Sequence, residues 1–291
     1  MIITKIQGGL GNQMFQYAFG LMLARRNKTE LKLDTSMFAT YEFHLYTMDN
    51  LAIAAQTATK EEIAQFVRYA PRTGKVGNLL NPIFANAQHY YKEPEFTFNQ
   101  KNMEVKAPVM VEGYWQSEKY FLEVEDEVRK DFALKTPLNK YSKSIAEKIT
   151  AAKEPVALHI RRGDFAYHPY MSKVMGICPP EYYDEAKKII SERLQEPVYF
   201  VFSDDPEWTK KNVKTGFPTE YIGQGPEINF MDLELMRLCK HHVLSNSTFG
   251  WWGAWLSDGR KSGINIAPTR WTNKNFDTKD LIPEYWIKLP Y

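Results

Sequence analysis

The stretch "VALHIRRGD" (residues 156–164) decides the fold class, because a mostly apolar run ends in a cluster of charged residues. The stretches "VYFVFSDD" (198–205) and "HVLSNST" (242–248) repeat the pattern, and a helix-compatible segment follows each of the three. Strands that alternate with helices predict an α/β fold with a parallel sheet. Because ligands of such sheets bind beyond the carboxyl ends of the strands, the three polar loops predict one shared site.

The N-terminal half shows the same alternation. It opens with a strand, "MIITKI" (1–6), a glycine turn, a helix over 14–26 and a second strand, "ELKLD" (30–34). The region that follows is less regular, and "RTGKVGNLLNP" (72–82) is predicted to be a loop. The stretch "VMVEGYWQSEKYF" (109–121) then predicts a strand that runs into an aromatic turn and a helix.

A domain boundary is predicted near the middle of the chain. A lysine-rich helical stretch, 139–153, precedes Pro155, and the chain of 291 residues is long enough for two domains of ordinary size. We therefore expect an N-terminal domain over 1–152 and a C-terminal domain over 153–291.

Composition excludes several classes of protein. Hydrophobic residues make up 44% and charged residues 25% of the chain, which is globular composition, and a formal charge of +2 does not argue for nucleic acid. Two cysteines, Cys178 and Cys239, do not make a disulfide framework, so we expect buried thiols in a reducing compartment. The sequence contains no apolar run of the length that spans a bilayer, and we expect a cytoplasmic protein.

In "VALHIRRGD", alternate residues of a strand face the same way, so His159 and Arg161 share one side while Arg162 lies on the other. Arg161 at the strand end suits a phosphate, because its planar guanidinium gives bidentate contacts. Asp164 is a candidate to hold an arginine, cap a helix or bind a ligand. The alternative interpretation is an Arg–Asp ion pair beside a core histidine.

In "SDDPE" (203–207), Asp205 before Pro206 is typical of a helix start. This leaves Asp204 as the free carboxylate, which is too little for a divalent metal ion, and no metal site is expected.

The stretch "SNSTFGWWGAWL" (245–256) places hydroxyl groups, including those of Ser247 and Thr248, where a strand meets a helix. A helix N-terminus offers free N–H groups to an anion, and the hydroxyls add donors. We expect the tryptophans of this helix to pack in the core, although an aromatic wall also suits a sugar.

The glycine loop "KIQGGLGNQMFQ" (5–16) resembles half of a dinucleotide-binding fingerprint. Asp34 supplies the expected acid after the next strand, but Met14 stands where the third glycine belongs. Asn12 and Gln13 also bring polar side chains to a loop that prefers bare backbone. We therefore do not expect an NAD-binding protein.

Taken in order, "GGLGNQMFQYAFG", "EGYWQSEKYF", "HIRRGD", "FSDD" and "SNSTFGWWGAWL" resemble bacterial α-1,2-fucosyltransferases of glycosyltransferase family 11. The resemblance extends to "APTRW" and "IPEYW" near the C-terminus. It implies a GT-B-type α/β fold, with two Rossmann-like domains facing across a cleft and the donor nucleotide mainly on the second. It further implies GDP-fucose as the donor, inversion without an obligatory metal or cofactor, and the 2-hydroxyl of a terminal β-galactoside as the acceptor. The acceptor would belong to a glycan or a lipid-linked oligosaccharide, with peripheral contact to the inner membrane left open.

The resemblance also implies roles for single residues. Arg161 would hold the leaving β-phosphate, and Asp232, sixteen residues before Thr248, would contact guanine. Because inversion calls for a base near the acceptor hydroxyl, we take Asp164 as the first candidate for it and His44 as the second. The less regular region 35–120 is expected to shape the acceptor side, with Tyr114, Trp115 and Gln116 near the cleft. The residues expected to bind the donor are Gly9, Gly11, Asn12, Gln13, His159, Arg162, Asp204, Asp232, Ser247 and Thr248.

Two other functions stay open at this point. One is a GT-B transferase that uses a different nucleotide sugar. The other is a non-catalytic galactoside-binding module, which would bind sugar without a nucleotide and would not need Arg161.

Overall fold

A computed structural model of the chain describes residues 1–40, 44–67, 89–223, 225, 228–273 and 276–291. They form two compact units, Met1–Ala133 and Leu134–Tyr291. The predicted loop at 72–82 lies outside the described residues.

The first unit is built on a parallel sheet of five strands. The described strands are β1 (Ile2–Lys5), β2 (Leu31–Asp34), β3 (Gln56–Thr57), β4 (Tyr90–Lys92) and β5 (Val109–Glu112). The described α-helices are α1 (Leu10–Arg26), α2 (Lys60–Ala64) and α3 (Glu125–Asp131). The strand order is β3-β2-β1-β5-β4, so the order reverses between β1 and β5, and α1 follows β1 as predicted.

The helix α1 is the centre of the first unit. Its side chains are buried almost all round from Leu10 to Ala24, which is typical of a helix enclosed by other elements. Phe19 stacks on Trp115, with ring centroids 3.9 Å apart, and thereby fixes the turn after β5 against the helix.

The second unit is built on a parallel sheet of six strands. They are β6 (Glu154–Ile160), β7 (Pro197–Ser203), β8 (Thr219–Ile222), β9 (His241–Val243), β10 (Asn265–Pro268) and β11 (Ile287–Leu289). The described α-helices are α4 (Lys140–Ala151), α5 (Gly163–Tyr167), α6 (Met171–Met175), α7 (Pro180–Arg193), α8 (Pro206–Asn212), α9 (Asn229–Leu238) and α10 (Thr248–Leu256). Their sheet has the order β8-β7-β6-β9-β10-β11, which is the doubly wound Rossmann order.

The three strands predicted from the sequence, β6, β7 and β9, are neighbours in this sheet. The strand β6 pairs in parallel with β7 on one side and with β9 on the other. The polar loops that follow these strands therefore lie together at the carboxyl ends of the strands, as predicted.

The helix α4 belongs to the second unit. It packs against α9, where Ser142 Oγ lies 3.7 Å from Met231 Sδ in a hydrogen bond. The compact unit consequently begins before this helix, at Leu134, whereas the predicted boundary at 152/153 lies after it.

The core of the second unit contains the aromatic residues of α10. Trp251, Trp252 and Trp255 are fully buried, so they pack as predicted and do not form a wall for a sugar. Both cysteines are buried and free. In the described part of the chain, the helices are all too short or too polar to cross a membrane.

Candidate functional site

The candidate site of the second unit lies where the strand order reverses, between β6 and β9. Ligands of doubly wound sheets bind outside the carboxyl ends of the strands at this point. The backbone N–H of Ser245 donates to the carbonyl of His159 at 3.1 Å, which joins the two strand ends directly. The arginine after β6 and the hydroxyl groups after β9 therefore flank the same crevice of the sheet.

Arg161 is held by two carboxylates. Its guanidinium lies 2.7 Å from Asp164 Oδ1 and 2.9 Å from Asp204 Oδ2, through two different nitrogen atoms. The guanidinium also lies over the ring of Phe165, 5.2 Å from its centroid. Because a guanidinium has five N–H groups, donors remain for a further anion, and the side chain is 28% exposed.

Asp204 is not a free carboxylate, contrary to the sequence-based expectation. Besides the pair with Arg161, its Oδ1 accepts a hydrogen bond from the backbone N–H of Arg162 at 2.7 Å. The reason is the sheet: β6 and β7 are adjacent, so the residue after β7 meets the loop after β6. Asp204 thus orients Arg161. The Arg–Asp ion pair, which was the alternative interpretation of this stretch of sequence, is also present, between Arg161 and Asp164.

Arg162 belongs to a second, separate cluster. Its guanidinium stacks on Trp208, 3.7 Å from the ring centroid, and lies 3.4 Å from Asp205 Oδ2. Asp205 caps α8 as predicted, since its Oδ1 accepts from the N–H of Trp208. Burial raises the pKa of Asp205, but hydrogen bonds from Tyr167, the Trp208 N–H and Arg162 outweigh it, and the net pKa is lowered. This cluster fixes α8 against α5.

His159 is a neutral histidine inside the site. Burial, with a smaller contribution from the charge of Arg161, lowers its pKa to about 3. Its Nδ1 shares a hydrogen bond of 3.0 Å with Ser245 Oγ. A Cβ atom on Gly250 would lie only 2.6 Å from the same nitrogen, so glycine at this position lets α10 approach the ring.

The N-terminus of α10 is shaped for an anion. Ser247 occupies the N-cap position with an extended backbone, and its side chain makes no capping hydrogen bond. Ser247 and Thr248 start this helix beside His159, and no acidic residue lies in its first turn. Asn246, in contrast, is fully buried and donates to the carbonyls of Met175 and Trp271, so it has a structural role.

Asp232 lies in the first turn of α9 and is half-buried. Its charge acts on Tyr141 of α4, whose pKa is raised by burial, Glu220 and Asp232. Since α9 leads into β9, its N-terminus lies at the carboxyl edge of the sheet. This position is compatible with the guanine contact, which stays a prediction.

In the first unit, the glycine loop is fixed by its own side chains. Gly8 has a φ of +77°, and Gly9 is the N-cap of α1, with Gly11 buried in the first turn. Gln13 is fully buried, and its amide donates to the carbonyls of Gly8 and Leu45 at 2.8 Å each. Both amide hydrogens of Gln13 are therefore used to hold the loop.

Asn12 joins the loop to the corner after β5. Its Oδ1 accepts a hydrogen bond of 2.8 Å from the amide of Gln116, across the point where this sheet reverses its order. Of the three residues expected on the acceptor side, Trp115 is fully buried, Gln116 is 7% exposed and Tyr114 is 39% exposed. Only Tyr114 of these three presents its ring to solvent. His44 lies beside Gly9.

Two features were not predicted from the sequence. The first is the stacking of Arg162 on Trp208. The sequence does contain a sign of it, because Trp208 stands one helical turn after the capping Asp205 and so lies on the same face of the helix. The second is Glu93, whose carboxylate accepts hydrogen bonds from the backbone N–H groups of Tyr114 and Trp115. A single glutamate after a short edge strand has no pattern that would identify it.

The described residues contain no group of three or more histidine, cysteine, aspartate or glutamate side chains that could hold a metal ion. The carboxylates of Asp164 and Asp204 both pair with Arg161.

Comparison with known proteins gives a match over the whole chain. The model of glycosyl transferase family 11 matches residues 1–289. Among similar proteins, alpha-1,2-colitosyltransferase from Escherichia coli is 32% identical, and the alignment covers 99% of both chains. The O-antigen biosynthesis glycosyltransferase WbnK from Escherichia coli is 30% identical, over 98% of this chain and 99% of its own.

Solved structures show the same fold at low sequence identity. The NodZ alpha-1,6-fucosyltransferase, co-crystallized with GDP, superposes with a TM-score of 0.52 at 11% identity, over 88% of this chain and 92% of its own. The predicted fold class, α/β of the GT-B type with Rossmann-like sheets, is thereby confirmed.

Proposed function

Because the chain belongs to glycosyltransferase family 11, we propose that it transfers L-fucose from GDP-fucose to the 2-hydroxyl of a terminal β-galactoside, with inversion at the anomeric carbon. The product is an α-1,2 linkage. The acceptor class is a glycan or lipid-linked oligosaccharide, which agrees with the similarity to an O-antigen transferase.

One observation carries the proposal: Arg161 and the N-terminus of α10 flank the reversal point of the second sheet. A nucleoside diphosphate needs a cation and N–H donors at its phosphates, and both stand at this place. A sugar-binding module without a nucleotide has no use for such an arrangement.

The site would act mainly on the leaving group. When the bond between fucose and the β-phosphate breaks, negative charge grows on the phosphate while positive charge develops at the anomeric carbon. Arg161, fixed in advance by Asp164 and Asp204, would stabilise that negative charge without reorganising. Ser247 and Thr248 would add hydroxyl and backbone donors from the helix end.

His159 would act as a neutral group. With a pKa of about 3 it carries no charge at neutral pH, so it neither repels Arg161 nor serves as a cationic acid. Its position under Gly250 lets it support the phosphate-binding helix end. We propose that this set of residues works without a metal ion, since a fixed guanidinium and a helix N-terminus supply the stabilisation that a metal gives elsewhere.

The test is a transfer assay in the presence of EDTA. The purified protein is incubated with GDP-fucose and a panel of β-galactosides, and the product linkage is assigned by NMR. We expect an α-linked fucose on the 2-hydroxyl of galactose for at least one acceptor. A β-linked product would contradict inversion, and activity with UDP-sugars alone would contradict the donor.

A second donor is favoured by one observation. The similarity to an alpha-1,2-colitosyltransferase over nearly the full chain makes a colitosyl nucleotide the alternative. Colitose is L-fucose without its 3-hydroxyl, so the two transferred sugars differ at one position. The kcat/KM of the two GDP-sugars, measured with one acceptor, decides between them.

A further inference from the structure

Asn246 lies in the short turn between β9 and α10, and its side chain is completely buried. The backbone N–H of Ser247 donates to the carbonyl of Ser245 at 2.8 Å, so Asn246 is the central residue of a γ-turn. The chain changes direction here, immediately before Ser247 and Thr248 start the helix. The geometry of this turn therefore decides where the N–H groups and hydroxyls of the helix end point.

The amide group of Asn246 holds the loops that follow both neighbouring strands. Its Nδ2 donates at 2.9 Å to the carbonyl of Met175, in the connection after β6, and at 3.0 Å to the carbonyl of Trp271, after β10. Its Oδ1 accepts a hydrogen bond of 3.6 Å from Cys178 Sγ. Since β6 and β10 lie on either side of β9, one side chain joins the carboxyl ends of three adjacent strands.

The two outer loops are also bound to each other. The backbone N–H of Asn273 donates to the carbonyl of Val174 at 2.7 Å, and its Nδ2 donates to the carbonyl of Ser172 at 3.3 Å. Gly176 has a φ of +72°, and a Cβ atom there would lie 2.7 Å from Asn273 Oδ1, so glycine permits this close approach. The segments 172–176 and 271–273 are thus fixed against one another as well as to Asn246.

On its other side, the turn adjoins the groups that would bind the phosphates. The N–H of Ser245 donates to the carbonyl of His159 at 3.1 Å, and its Oγ shares the hydrogen bond of 3.0 Å with the His159 ring. His159 stands two residues before Arg161. A displacement of the turn at Asn246 would consequently move the end of α10 relative to Arg161, and hydrogen bonds weaken steeply when donor and acceptor lose their alignment.

We propose that Asn246 is a positioning residue for the nucleoside diphosphate, an inference that rests on the function proposed above. Being buried, it does not touch the phosphates, but it sets the position of the helix end at which Ser247 and Thr248 bind them. Coupling between two binding equilibria is reciprocal. A bound diphosphate therefore stabilises, through the same side chain, the segments 172–176 and 271–273.

The experiment measures the affinities of GDP and of guanosine for wild type and Asn246→Ala, by calorimetry for GDP and by NMR titration for guanosine. Asn246→Ala should weaken GDP binding by about 10–100-fold, because charge-assisted hydrogen bonds to the phosphates lose their alignment. Guanosine carries no phosphate, so its affinity should stay within about twofold of wild type.

Asn265→Ala is the matched control. Asn265 is also buried, and its Nδ2 donates to the carbonyls of Gly259 and Arg260 at 3.3 and 2.9 Å. It starts β10 and so lies at the amino ends of the strands, away from the turn. Asn265→Ala should lower the Tm, as Asn246→Ala does, but should bind GDP as wild type does. If Asn246→Ala also keeps wild-type GDP affinity, or loses affinity for guanosine as strongly as for GDP, the inference is overturned.

If Asn246→Ala does not fold, hydrogen exchange of the wild type decides. The N–H of Asn273, which donates to Val174, should exchange more slowly when GDP is bound, because the bound diphosphate stabilises this loop. An unchanged exchange rate at saturating GDP would overturn the inference. A wild-type protein that binds no GDP would instead contradict the proposed function, and this role of Asn246 with it.

Discussion

The close approach of α10 to His159 predicts the effect of Gly250→Ala. The new Cβ would lie 2.6 Å from His159 Nδ1 and 3.1 Å from Cγ, whereas non-bonded atoms prefer about 3.5–4.0 Å. The ring is 6% exposed and cannot turn away without losing its hydrogen bond to Ser245. The helix and the ring must therefore separate by about 1 Å.

The expected change in the free energy of unfolding of Gly250→Ala is the sum of contributions of opposite sign. Overpacking costs about 1–3 kcal/mol, and a weakened buried hydrogen bond adds about 1 kcal/mol, while alanine in place of glycine returns up to about 1 kcal/mol of helix propensity. The expected loss of unfolding free energy is about 2 kcal/mol, or about 4–8 °C in the Tm of a unit of this size.

The assay is thermal unfolding of wild type, Gly250→Ala and the control Gly223→Ala, each with and without GDP. Among the described residues, a Cβ at the exposed Gly223 would meet only the carbonyl of Ser203, at 3.4 Å, so the Tm of Gly223→Ala should stay within about 2 °C of wild type. Gly250→Ala should also weaken GDP binding, because the helix N-terminus is displaced. An unchanged Tm and GDP affinity for Gly250→Ala would refute this account of the helix position.

Three further predictions concern the loop, pH and the thiols. Gly8→Ala should lower the free energy of unfolding in urea by about 1–2 kcal/mol, because φ at this residue is +77°. Gly9→Ala should lower it by about 0.5 kcal/mol, because φ there is −71°. Equal losses for the two variants would contradict the loop geometry. Burial lowers the pKa of His159 to about 3 and that of His242 to about 4, so the unfolded chain binds these protons first. Each buried neutral histidine therefore contributes fully to the free energy of unfolding above about pH 6.5, and this contribution is about 2 kcal/mol smaller at pH 5. Urea unfolding at both pH values measures the difference. An equal free energy of unfolding at both pH values would contradict the prediction. Both cysteines should react with a thiol reagent only on unfolding, since they are buried, and rapid reaction of the native protein would show otherwise.

The fold was predictable because its signals are local. Apolar runs that end in polar loops identified β6, β7 and β9, and parallel pairing placed their ends together. The helix cap at Asp205 followed from the residue order Asp-Pro-Glu. Such signals depend on residues that are neighbours in the sequence, so they can be identified without a structure.

The partners of charged residues were not predictable. Asp204 was expected to be free, yet it pairs with Arg161 because two strands distant in sequence are adjacent in the sheet. The same limit applies to Glu93, whose partners Tyr114 and Trp115 follow the strand beside its own. Gln13 looked available for a ligand, but its amide donates to the carbonyls of Gly8 and Leu45.

The most direct test of the central claim, a nucleoside diphosphate held by Arg161 in the second unit, is calorimetric titration with GDP in EDTA. Wild type should bind GDP, and Arg161→Ala should weaken binding by about 10–100-fold, the value of a lost charge-assisted contact. Arg193→Ala, at the exposed end of α7, is the control and should bind as wild type does. Equal GDP affinity of wild type and Arg161→Ala would contradict the account.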